Sequence, residues 1–451
     1  MGKELVFQTL RHEKTSAVAW VPFAGVHAGK LKGYSAEEVL MDGDKLFDSL
    51  MEVKKLYSPD GMPIVFDLQI EAEILGCELL WAKSNPPSVK SHPLAGSEYK
   101  IPCKCKIPTK ESGRIPMILD VMRRVKAEIG DTTALYGLVC GPFTLASHLR
   151  GSDIFMDMIM NEQYVRDLVE FCSEVCMRMI DYYAETGMDV IAVVDPLVSQ
   201  ISPEHFTAML NPSFTACFDY IKSKGLFSSF FVCGNATLQL EVMCHTHPDC
   251  ISVDENVDIV KGKTITDKYG ITIAGNIPLT TVMLHGNQQD NRKCVVDLLD
   301  SIDHHNFILS PGCDMPYDVP IENTIAAMQA VKNTDIARSM VADYEVSYDD
   351  TEVELPDYEH LAKPLLEVFT LDSDSCAACT YMWNSVKDVK ERVFGDKIDI
   401  IEYKYTIKEN IARTRKMGLT NLPTLVINGK VKWVSIIPSR DQLVAEIEKL
   451  L

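Results

Sequence analysis

The chain has 451 residues, of which 46% are hydrophobic and 24% charged, with a formal net charge of −20 at pH 7. This length suits two or three globular domains, and the strong negative charge argues against a nucleic-acid partner, because phosphate backbones repel it. No apolar run reaches the ~18 residues typical of a membrane helix, and the first residues lack a leader pattern, so we expect a cytoplasmic protein without a membrane partner.

Between about residues 16 and 332, short apolar runs alternate with amphipathic stretches typical of helices. Two helix starts are explicit: Ser35 and Glu38 form a capping box, and Ser202 precedes Pro203. The predicted strands are Ala17–Pro22, Pro63–Leu68, Ala134–Val139, Asp189–Val194, Ser228–Val232, Cys250–Val253, Ile271–Ala274 and Asn306–Leu309. Eight alternations predict an α/β fold, a (β/α)8 TIM barrel, with a doubly wound open sheet as the alternative. No G-x-G-x-x-G motif follows the first strand, which argues against a dinucleotide site.

This alternation ends in an acidic stretch. Residues 342–360 read ADYEVSYDDTEVELPDYEH and show no sustained hydrophobic period. Repulsion between neighbouring carboxylates is typical of a solvated linker. We therefore predict a barrel over residues 1–341, a linker over 342–360 and a second domain over 361–451.

The second domain has its own pattern of short elements. The predicted strands are Leu365–Phe369, Lys397–Tyr403, Leu425–Ile427 and Val431–Ile436; the predicted helices run from Ser375–Cys379 to about Val389, then over Ile407–Met417 and Arg440–Leu451. Gly418 is placed to end the middle helix, and Asn428-Gly429 between the last two strands is a strong hairpin signal. The predicted order is βαβαββα.

Two cysteines open the first helix of this domain. Since the expected compartment is reducing, the 14 cysteines of the chain are expected to be thiols, metal ligands or redox groups. Cys376 lies at a helix N-terminus, where the dipole and free N–H groups stabilise a thiolate, and Cys379 lies one turn further on. A zinc half-site is the alternative, but this part of the chain offers no compact second pair of ligands. The spacing therefore favours a redox-active dithiol.

The C-terminal domain resembles the thioredoxin and glutaredoxin family. The resemblance is carried by Cys376-Ala377-Ala378-Cys379 after a strand and by Asn421-Leu422-Pro423-Thr424-Leu425 before the hairpin. It implies that Cys376 is the attacking thiol, that Cys379 is the resolving thiol, and that Pro423 is the cis-proline beside them. An ordinary loop proline is the alternative for Pro423.

The first domain resembles the uroporphyrinogen decarboxylase superfamily, above all its cobamide-dependent methyltransferase branch, over about residues 1–335. The motifs that carry the resemblance are Phe66-Asp67-Leu68, Glu71-Ala72-Glu73, Leu75-Gly76-Cys77, Gly141-Pro142-Phe143-Thr144-Leu145-Ala146, Asp195-Pro196, Val232-Cys233-Gly234-Asn235, Ser252-Val253-Asp254, Gly275-Asn276-Ile277-Pro278 and Ser310-Pro311-Gly312-Cys313-Asp314. Several follow predicted strands, where barrel active sites lie. The resemblance implies a cobalamin or other corrinoid as methyl donor, with Asp195, Asn235 and Asp254 as cofactor-binding residues.

Decarboxylases of the superfamily grip porphyrin carboxylates with an arginine-rich loop near the N-terminus. Here the corresponding stretch, Pro22–Lys30, contains no arginine, so decarboxylation of a porphyrinogen is not expected. Asp67 matches the decarboxylase aspartate that contacts pyrroles, which makes it a candidate catalytic residue. The alternative is that Asp67 caps the turn after its strand.

The methyltransferase branch binds zinc through a His-x-Cys pair and a distant cysteine, and zinc holds an acceptor thiol as its thiolate. Cys233 and Cys313 match the two cysteine ligands, but Phe231 stands at the histidine position. Two thiolates alone do not make a zinc site. Three explanations stay open: a third ligand from elsewhere, weak or absent metal binding, or a redox pair served by the C-terminal domain. The histidines considered as third ligand are His245, His247, His304 and His305.

The leading hypothesis is a methyltransferase that takes a methyl group from a methylated corrinoid protein and passes it to a thiol or another small acceptor, with zinc assistance if metal is bound. One alternative is a redox-linked protein that binds a corrinoid or tetrapyrrole. Another is a decarboxylase of the same superfamily acting on a different substrate.

Overall fold

The computed structural model describes residues 2–346, 351–374 and 376–451. The chain divides into two compact units: residues 1–150 with 161–347, and residues 151–160 with 348–451. Positions 347–350 of the predicted linker, and Ser375 at the predicted helix start, lie outside the described residues. The boundaries predicted between barrel, linker and second domain stay a prediction.

Eight parallel strands form the sheet of the first unit, in the order β1-β10-β9-β8-β7-β6-β5-β2, and a small antiparallel pair, β3 and β4, lies apart from it. The strands are β1 (Ala19–Trp20), β2 (Gly61–Pro63), β3 (Leu79–Leu80), β4 (Ser88–Val89), β5 (Ala134–Cys140), β6 (Val190–Val194), β7 (Phe227–Val232), β8 (Cys250–Val253), β9 (Thr272–Ile277) and β10 (Phe307–Pro311). The predicted parallel barrel is confirmed.

Helices connect these strands, as the alternating pattern predicts. They are α1 (Gly2–Leu10), α2 (His27–Lys30), α3 (Ala36–Met41), α4 (Gly43–Tyr57), α5 (Ile70–Ile74), α6 (Ile115–Ile129), α7 (Pro142–Arg150), α8 (Asp153–Met160), α9 (Glu162–Glu185), α10 (Pro203–His205), α11 (Asn211–Ser223), α12 (Leu240–Cys244), α13 (Ile259–Thr266), α14 (Gln288–Ser301), α15 (Ile321–Lys332) and α16 (Thr334–Met340). Of these helices, α8 is grouped with the second unit. The capping box predicted at Ser35 and Glu38 is present at the start of α3, and Ser202 caps α10.

The second strand ends earlier than predicted. The apolar run extends over Pro63–Leu68, but β2 ends at Pro63. Pro63 has no N–H to donate to a ladder, and beyond it Ile64 still donates to the Tyr136 carbonyl at 3.1 Å. The following residues, up to Asp67, are buried in irregular backbone. Because the residues after Pro63 lie outside the strand, the side chains at the end of this apolar run can extend towards the site.

Asp60 joins the two ends of the eight-stranded sheet. Its backbone N–H donates to the Trp20 carbonyl at 2.9 Å, and its carboxylate accepts from the Trp20 N–H at 2.9 Å. Lys332 of α15 donates to both oxygens of the same carboxylate at 2.6 Å. The buried side chain of Asp60 thus joins β1 to the residue before β2, whereas the other neighbouring strands of the barrel are joined by backbone hydrogen bonds.

Replacing Asp60 by alanine is expected to lower the free energy of unfolding by about 3 kcal/mol, because it leaves a buried Trp20 N–H and the Lys332 ammonium without their partner. Urea unfolding followed by circular dichroism measures the change. Asp48→Ala on the exposed face of α4 is the control and should change stability by less than about 0.5 kcal/mol. An equal effect of the two substitutions would contradict a closing role for Asp60.

The barrel interior is filled with side chains from alternate strand positions. The filling residues include Ala19, Val21, Tyr136, Leu138, Val190, Ala192, Val194, Phe231, Ala274 and Ile308. Binding and chemistry are therefore expected at the carboxyl ends of the strands, where the βα loops meet.

The second unit contains a four-stranded mixed sheet. Its elements are β11 (Leu365–Thr370), α17 (Ala377–Val389), β12 (Asp399–Lys404), α18 (Lys408–Lys416), β13 (Thr424–Ile427), β14 (Lys430–Val434) and α19 (Arg440–Glu448). The sheet order is β12-β11-β13-β14, with β11 and β12 parallel and the other pairs antiparallel. The predicted order βαβαββα is present, and Leu366 and Val368 of β11 pack on α17 and α19.

No helix among the described residues has both the length and the apolar character needed to cross a membrane.

Candidate functional site

The carboxyl ends of the barrel strands gather most of the residues singled out from the sequence. Asp195 directly follows β6, Cys233 directly follows β7, and Asp254 directly follows β8. Cys313 comes two residues after β10, and Asp67 follows the end of β2. Because the carboxyl ends of parallel strands meet at one end of a barrel, these residues form one candidate site.

Cys233 and Cys313 are joined in a disulfide, with their Cα atoms 5.8 Å apart and 80 residues between them in sequence. In the barrel, β7 and β10 are separated by β8 and β9, so the bridge links two strands that are not neighbours. Both cysteines are half-buried and pack on top of the barrel core. The bridge therefore lies at the barrel mouth.

An aromatic cluster underlies this bridge. The ring of Phe231 lies 4.8 Å from that of Phe23 and 5.8 Å from that of Phe66, between ring centroids, and Phe231 is fully buried. A phenyl ring offers no lone pair to a metal. The position two residues before Cys233 therefore contributes packing, where the resemblance implies a histidine ligand.

The described residues do not fit a zinc site. A disulfide sulfur is not the thiolate that zinc binds, and no group of three histidine, cysteine, aspartate or glutamate side chains in the described ranges is arranged to hold a metal. His245 hydrogen-bonds to Tyr269 at 3.2 Å, and His304 to the Leu299 carbonyl at 2.9 Å; neither serves as a third ligand. The expectation that Cys233 and Cys313 hold zinc thus has no support in the geometry.

Asp67 lies in a buried ion pair. Its carboxylate accepts from Arg114 Nη1 at 2.6 Å and from the Gln69 N–H at 2.8 Å, while Arg114 Nε donates to Glu73 at 2.9 Å. Asp67 is 2% and Arg114 8% exposed. Asp67 therefore caps its turn, as the alternative predicts, and also fixes a guanidinium beside the barrel mouth.

Several polar atoms near this ion pair are buried and have no hydrogen-bond partner among the described residues: Arg114 Nη2, Glu71 Oε2 and Asp314 Oδ1. Burial raises the pKa of Glu71 to about 8 and holds that of Asp314 well above its usual range. Glu71 Oε1 accepts from the Cys140 N–H at 3.2 Å. A buried unpaired donor beside buried unpaired acceptors is the pattern of a site built for a polar ligand.

The loop after β1 closes on Asp314. Gly25 has a φ of +37°, and a Cβ at this position would lie 1.8 Å from Asp314 Oδ1. Only glycine allows the backbone to come this close. Gly25 belongs to the stretch Pro22–Lys30 that the resemblance aligns with the porphyrin-binding loop, and here that stretch packs against a carboxyl group.

Asp195 has a structural role in addition to its place at a strand end. Its carboxylate accepts from the Phe143 N–H at 2.9 Å and from the Thr144 hydroxyl at 2.6 Å, at the start of α7. Burial raises its pKa to about 7. These bonds stabilise the helix N-terminus, so Asp195 orients α7.

Asp254 and Asn235 lie on the neighbouring loops. Asp254 accepts from the backbone N–H of Asn256 at 2.9 Å, and burial raises its pKa. Asn235 accepts from the hydroxyl of Thr237 at 2.6 Å. Both side chains shape their loops locally, and their assignment to cofactor binding stays a prediction.

In the second unit, Cys376 caps α17. Its sulfur accepts from the Cys379 N–H at 3.4 Å, and hydrogen bonds from the Cys379 thiol and from the backbone N–H groups of Cys379 and Ala378 lower its pKa. Cys379 is 1% exposed, and burial raises its pKa well above the usual range. The two thiols are thus differentiated: a half-buried one that ionises readily and a buried one that does not. The bond between Leu422 and Pro423 is cis.

These opposite shifts predict a pH-dependent difference in alkylation. A thiol with a lowered pKa holds thiolate at a pH where an ordinary cysteine is protonated, so Cys376 should react with iodoacetamide at lower pH than a free cysteine, and Cys379 only at higher pH. Mass spectrometry of the reduced native protein after timed alkylation measures both rates. Equal pH profiles for the two cysteines would contradict the geometry.

Sequence reasoning missed Arg114 and did not single out Glu71. Arg114 lies just before α6, 47 residues from Asp67, and no local pattern connects the two. Glu71 enters the sequence patterns only as part of the motif Glu71-Ala72-Glu73. The available signal for Glu71 was the run after the second predicted strand in which polar residues alternate with apolar ones: Asp67, Gln69, Glu71 and Glu73.

The first unit of the chain is similar in sequence to known proteins. The family model described as uroporphyrinogen decarboxylase (URO-D) matches residues 1–334. A methylcobamide:CoM methyltransferase MtbA of Methanosarcina acetivorans is 28% identical over 338 residues, which cover 73% of this chain and 97% of the relative. A uroporphyrinogen decarboxylase of a Wolbachia species from Brugia malayi is 25% identical and covers 66% of this chain and 84% of its own length.

Among solved structures, a methyltransferase from Methanosarcina mazei superposes with a TM-score of 0.66 and 22% identity, over 74% of this chain and 99% of its own. This likeness supports the barrel fold. The family match ends at residue 334 and leaves out the C-terminal elements.

Proposed function

The chain belongs to the uroporphyrinogen decarboxylase family, as an enzyme of the methyltransferase kind, and we propose that its barrel transfers a methyl group from a methylated corrinoid to a small thiol. In this proposal the methyl donor is a methylated corrinoid protein. The methylcobamide:CoM methyltransferase MtbA described above is named for a donor of the same chemical class. The observation that carries the proposal is the buried, unpartnered polar cluster at the barrel mouth.

The transfer moves a methyl group without its bonding electrons. The sulfur–carbon bond forms as the cobalt–carbon bond breaks, and the electron pair stays on cobalt. The acceptor must lose its thiol proton to react, because the thiolate is the nucleophile. In this proposal Glu71 takes that proton, since a base with a pKa near 8 is matched to the task at neutral pH.

Arg114 supplies the complementary charge. Its Nη2 is buried and has no hydrogen-bond partner in the described part of the chain, and the guanidinium is oriented by Asp67 and Glu73. In the proposal this N–H binds an anionic group of the acceptor and so orients its sulfur. Asp67 acts through Arg114 as a positioning residue, and the mechanism has no step that requires a metal.

Methylcobalamin serves as donor in the test. The reduced full-length protein is mixed with methylcobalamin and one of several thiols, with and without an anionic group, and loss of the methylcobalamin absorbance is followed. We expect turnover with at least one thiol, faster for an anionic one. No turnover with any thiol would contradict the proposal.

A second candidate function belongs to the C-terminal unit. The helix-capping Cys376 with its lowered pKa and the buried Cys379 support thiol–disulfide exchange. We propose that this unit is a thioredoxin-like domain, in which Cys376 attacks a disulfide and Cys379 resolves the mixed disulfide. The cis bond before Pro423 agrees with the position that the family resemblance assigns.

A further inference from the structure

We propose that Cys233 and Cys313 form a reversible dithiol/disulfide couple at the barrel mouth, in the place where related methyltransferases are expected to hold a metal. The inference does not depend on the proposed methyl transfer. It rests on the disulfide itself, on the partial exposure of both cysteines and on the absence of a third metal ligand beside them among the described residues.

The partial exposure of Cys233 and Cys313 supports the couple. Both cysteines are half-buried at the end of the barrel, whereas several other barrel thiols are fully buried and their pKa values are raised by burial, such as those of Cys140 and Cys172. An external thiolate must approach a disulfide sulfur in line to exchange with it. Cys233 and Cys313 both keep part of their surface exposed to solvent, whereas a bridge inside the core would be closed to an external thiolate.

The backbone beside each cysteine is packed tightly against a neighbouring loop. Gly234 follows Cys233 with a φ of +89°, and a Cβ there would lie 2.7 Å from Ser199 Oγ. Gly312 precedes Cys313, and a Cβ there would lie 2.7 Å from the Glu255 backbone nitrogen. Each cysteine is therefore held by a loop that packs tightly on its neighbour, so the two sulfurs stay opposed after reduction.

The aromatic cluster below the bridge also supports the couple. Phe231 stands where the resemblance implies a histidine ligand, and it packs against Phe23 and Phe66. Two opposed thiols without a third ligand lack the donor set of a zinc site. They retain the geometry for a disulfide, and they form one without leaving the barrel mouth.

The exchange step balances with one dithiol as the two-electron reductant. A thiolate of a dithiol reductant attacks one sulfur of the bridge, and a mixed disulfide forms as the other cysteine leaves as a thiolate, which takes a proton from solvent. The second thiol of the reductant then attacks the mixed disulfide. The barrel ends with two thiols and the reductant with one disulfide, so two electrons have moved.

The reductant is a dithiol, and its source is either a small molecule or the Cys376/Cys379 pair of this chain. Cys376→Ser distinguishes these sources when a limiting amount of dithiothreitol supplies the electrons, because this dithiol can reduce the bridge directly or through Cys376. Slower reduction of the barrel bridge in this variant points to Cys376 as the relay; an unchanged rate points to direct reduction by the added thiol. The couple is supported in both cases.

The test poises the native full-length protein in mixtures of reduced and oxidised dithiothreitol and then alkylates the free thiols rapidly at neutral pH. We expect Cys233 and Cys313 to become alkylated together, along one two-electron titration curve. Cys140 and Cys172 are protected in the same chain when alkylation is performed without denaturant, which controls for unfolding. In Cys313→Ser and Cys233→Ser the remaining partner is alkylated without any reductant.

Three results would overturn the inference. The bridge is structural if its cysteines are alkylated only after denaturation. No couple exists if one cysteine is alkylated independently of the other in the wild type. The pair is a metal site if one equivalent of zinc protects both reduced thiols from alkylation.

Discussion

Cys376→Ser is expected to abolish thiol–disulfide exchange by the C-terminal unit, with a loss of at least about 100-fold in the reduction rate of a model disulfide. The reason is that Cys376 is half-exposed and has the lowered pKa, so it holds the attacking thiolate. Cys379 is buried with a raised pKa and cannot replace it. Reduction of insulin disulfides by the protein with dithiothreitol as electron source measures the rate.

Cys379→Ser is the matched variant. It keeps the attacking thiolate and removes the resolving one, so a stable mixed disulfide on Cys376 should accumulate and be visible as a mass increase. Cys105→Ser, at an exposed cysteine of the other unit, should leave the rate unchanged. Full activity in Cys376→Ser would mean that this unit has no redox chemistry of its own.

Glu71→Gln is expected to lower methyl transfer by about 100-fold or more, the usual contribution of a general base. Glu71 is 1% exposed and burial raises its pKa to about 8. Because the base acts in its ionised form, the wild-type rate should rise with pH through about 8 and level off above. The test uses an acceptor thiol whose pKa is higher than that of Glu71. In the variant, the rise of the rate near pH 8 should then be absent, and the rate should increase only as the acceptor thiol itself ionises.

Glu73→Gln controls for charge in the same helix. Glu73 also pairs with Arg114, and a glutamine keeps an oxygen that accepts from Nε, so we expect less than a threefold change, about 0.7 kcal/mol. Rapid mixing with methylcobalamin, repeated across pH, measures both variants. An equal loss in both would show that Glu71 acts through the charge balance around Arg114 and not as a base.

The fold was largely predictable because its signals are local. Each barrel strand is a short run of residues buried from both sides, and such runs stand out in any window of the sequence, as at Val190–Val194. The same holds for the Cys376 and Cys379 spacing at the start of α17. The strand ends then place Asp195, Cys233 and Asp254 at one end of the barrel by topology alone.

The chemistry of the site was less predictable because it depends on distant contacts. The redox state of Cys233 and Cys313 follows from a distance between two segments 80 residues apart, and the role of Asp67 follows from Arg114 on another loop. Neither distance has a local trace in the sequence. At Phe231 the sequence alone indicates a departure from a zinc site, because a phenyl ring in place of a histidine cannot ligate zinc. The structure adds that this ring packs in the barrel core.

The central claim is that the barrel moves a methyl group from a corrinoid to a thiol with its own residues. The most direct measurement uses methylcobalamin with a deuterated methyl group, the fully reduced protein, an anionic thiol and a zinc chelator, and analyses the product by mass spectrometry. The account predicts a thioether that carries the intact deuterated methyl group and forms catalytically. Absence of the labelled thioether, or its appearance only when zinc is supplied, would contradict it.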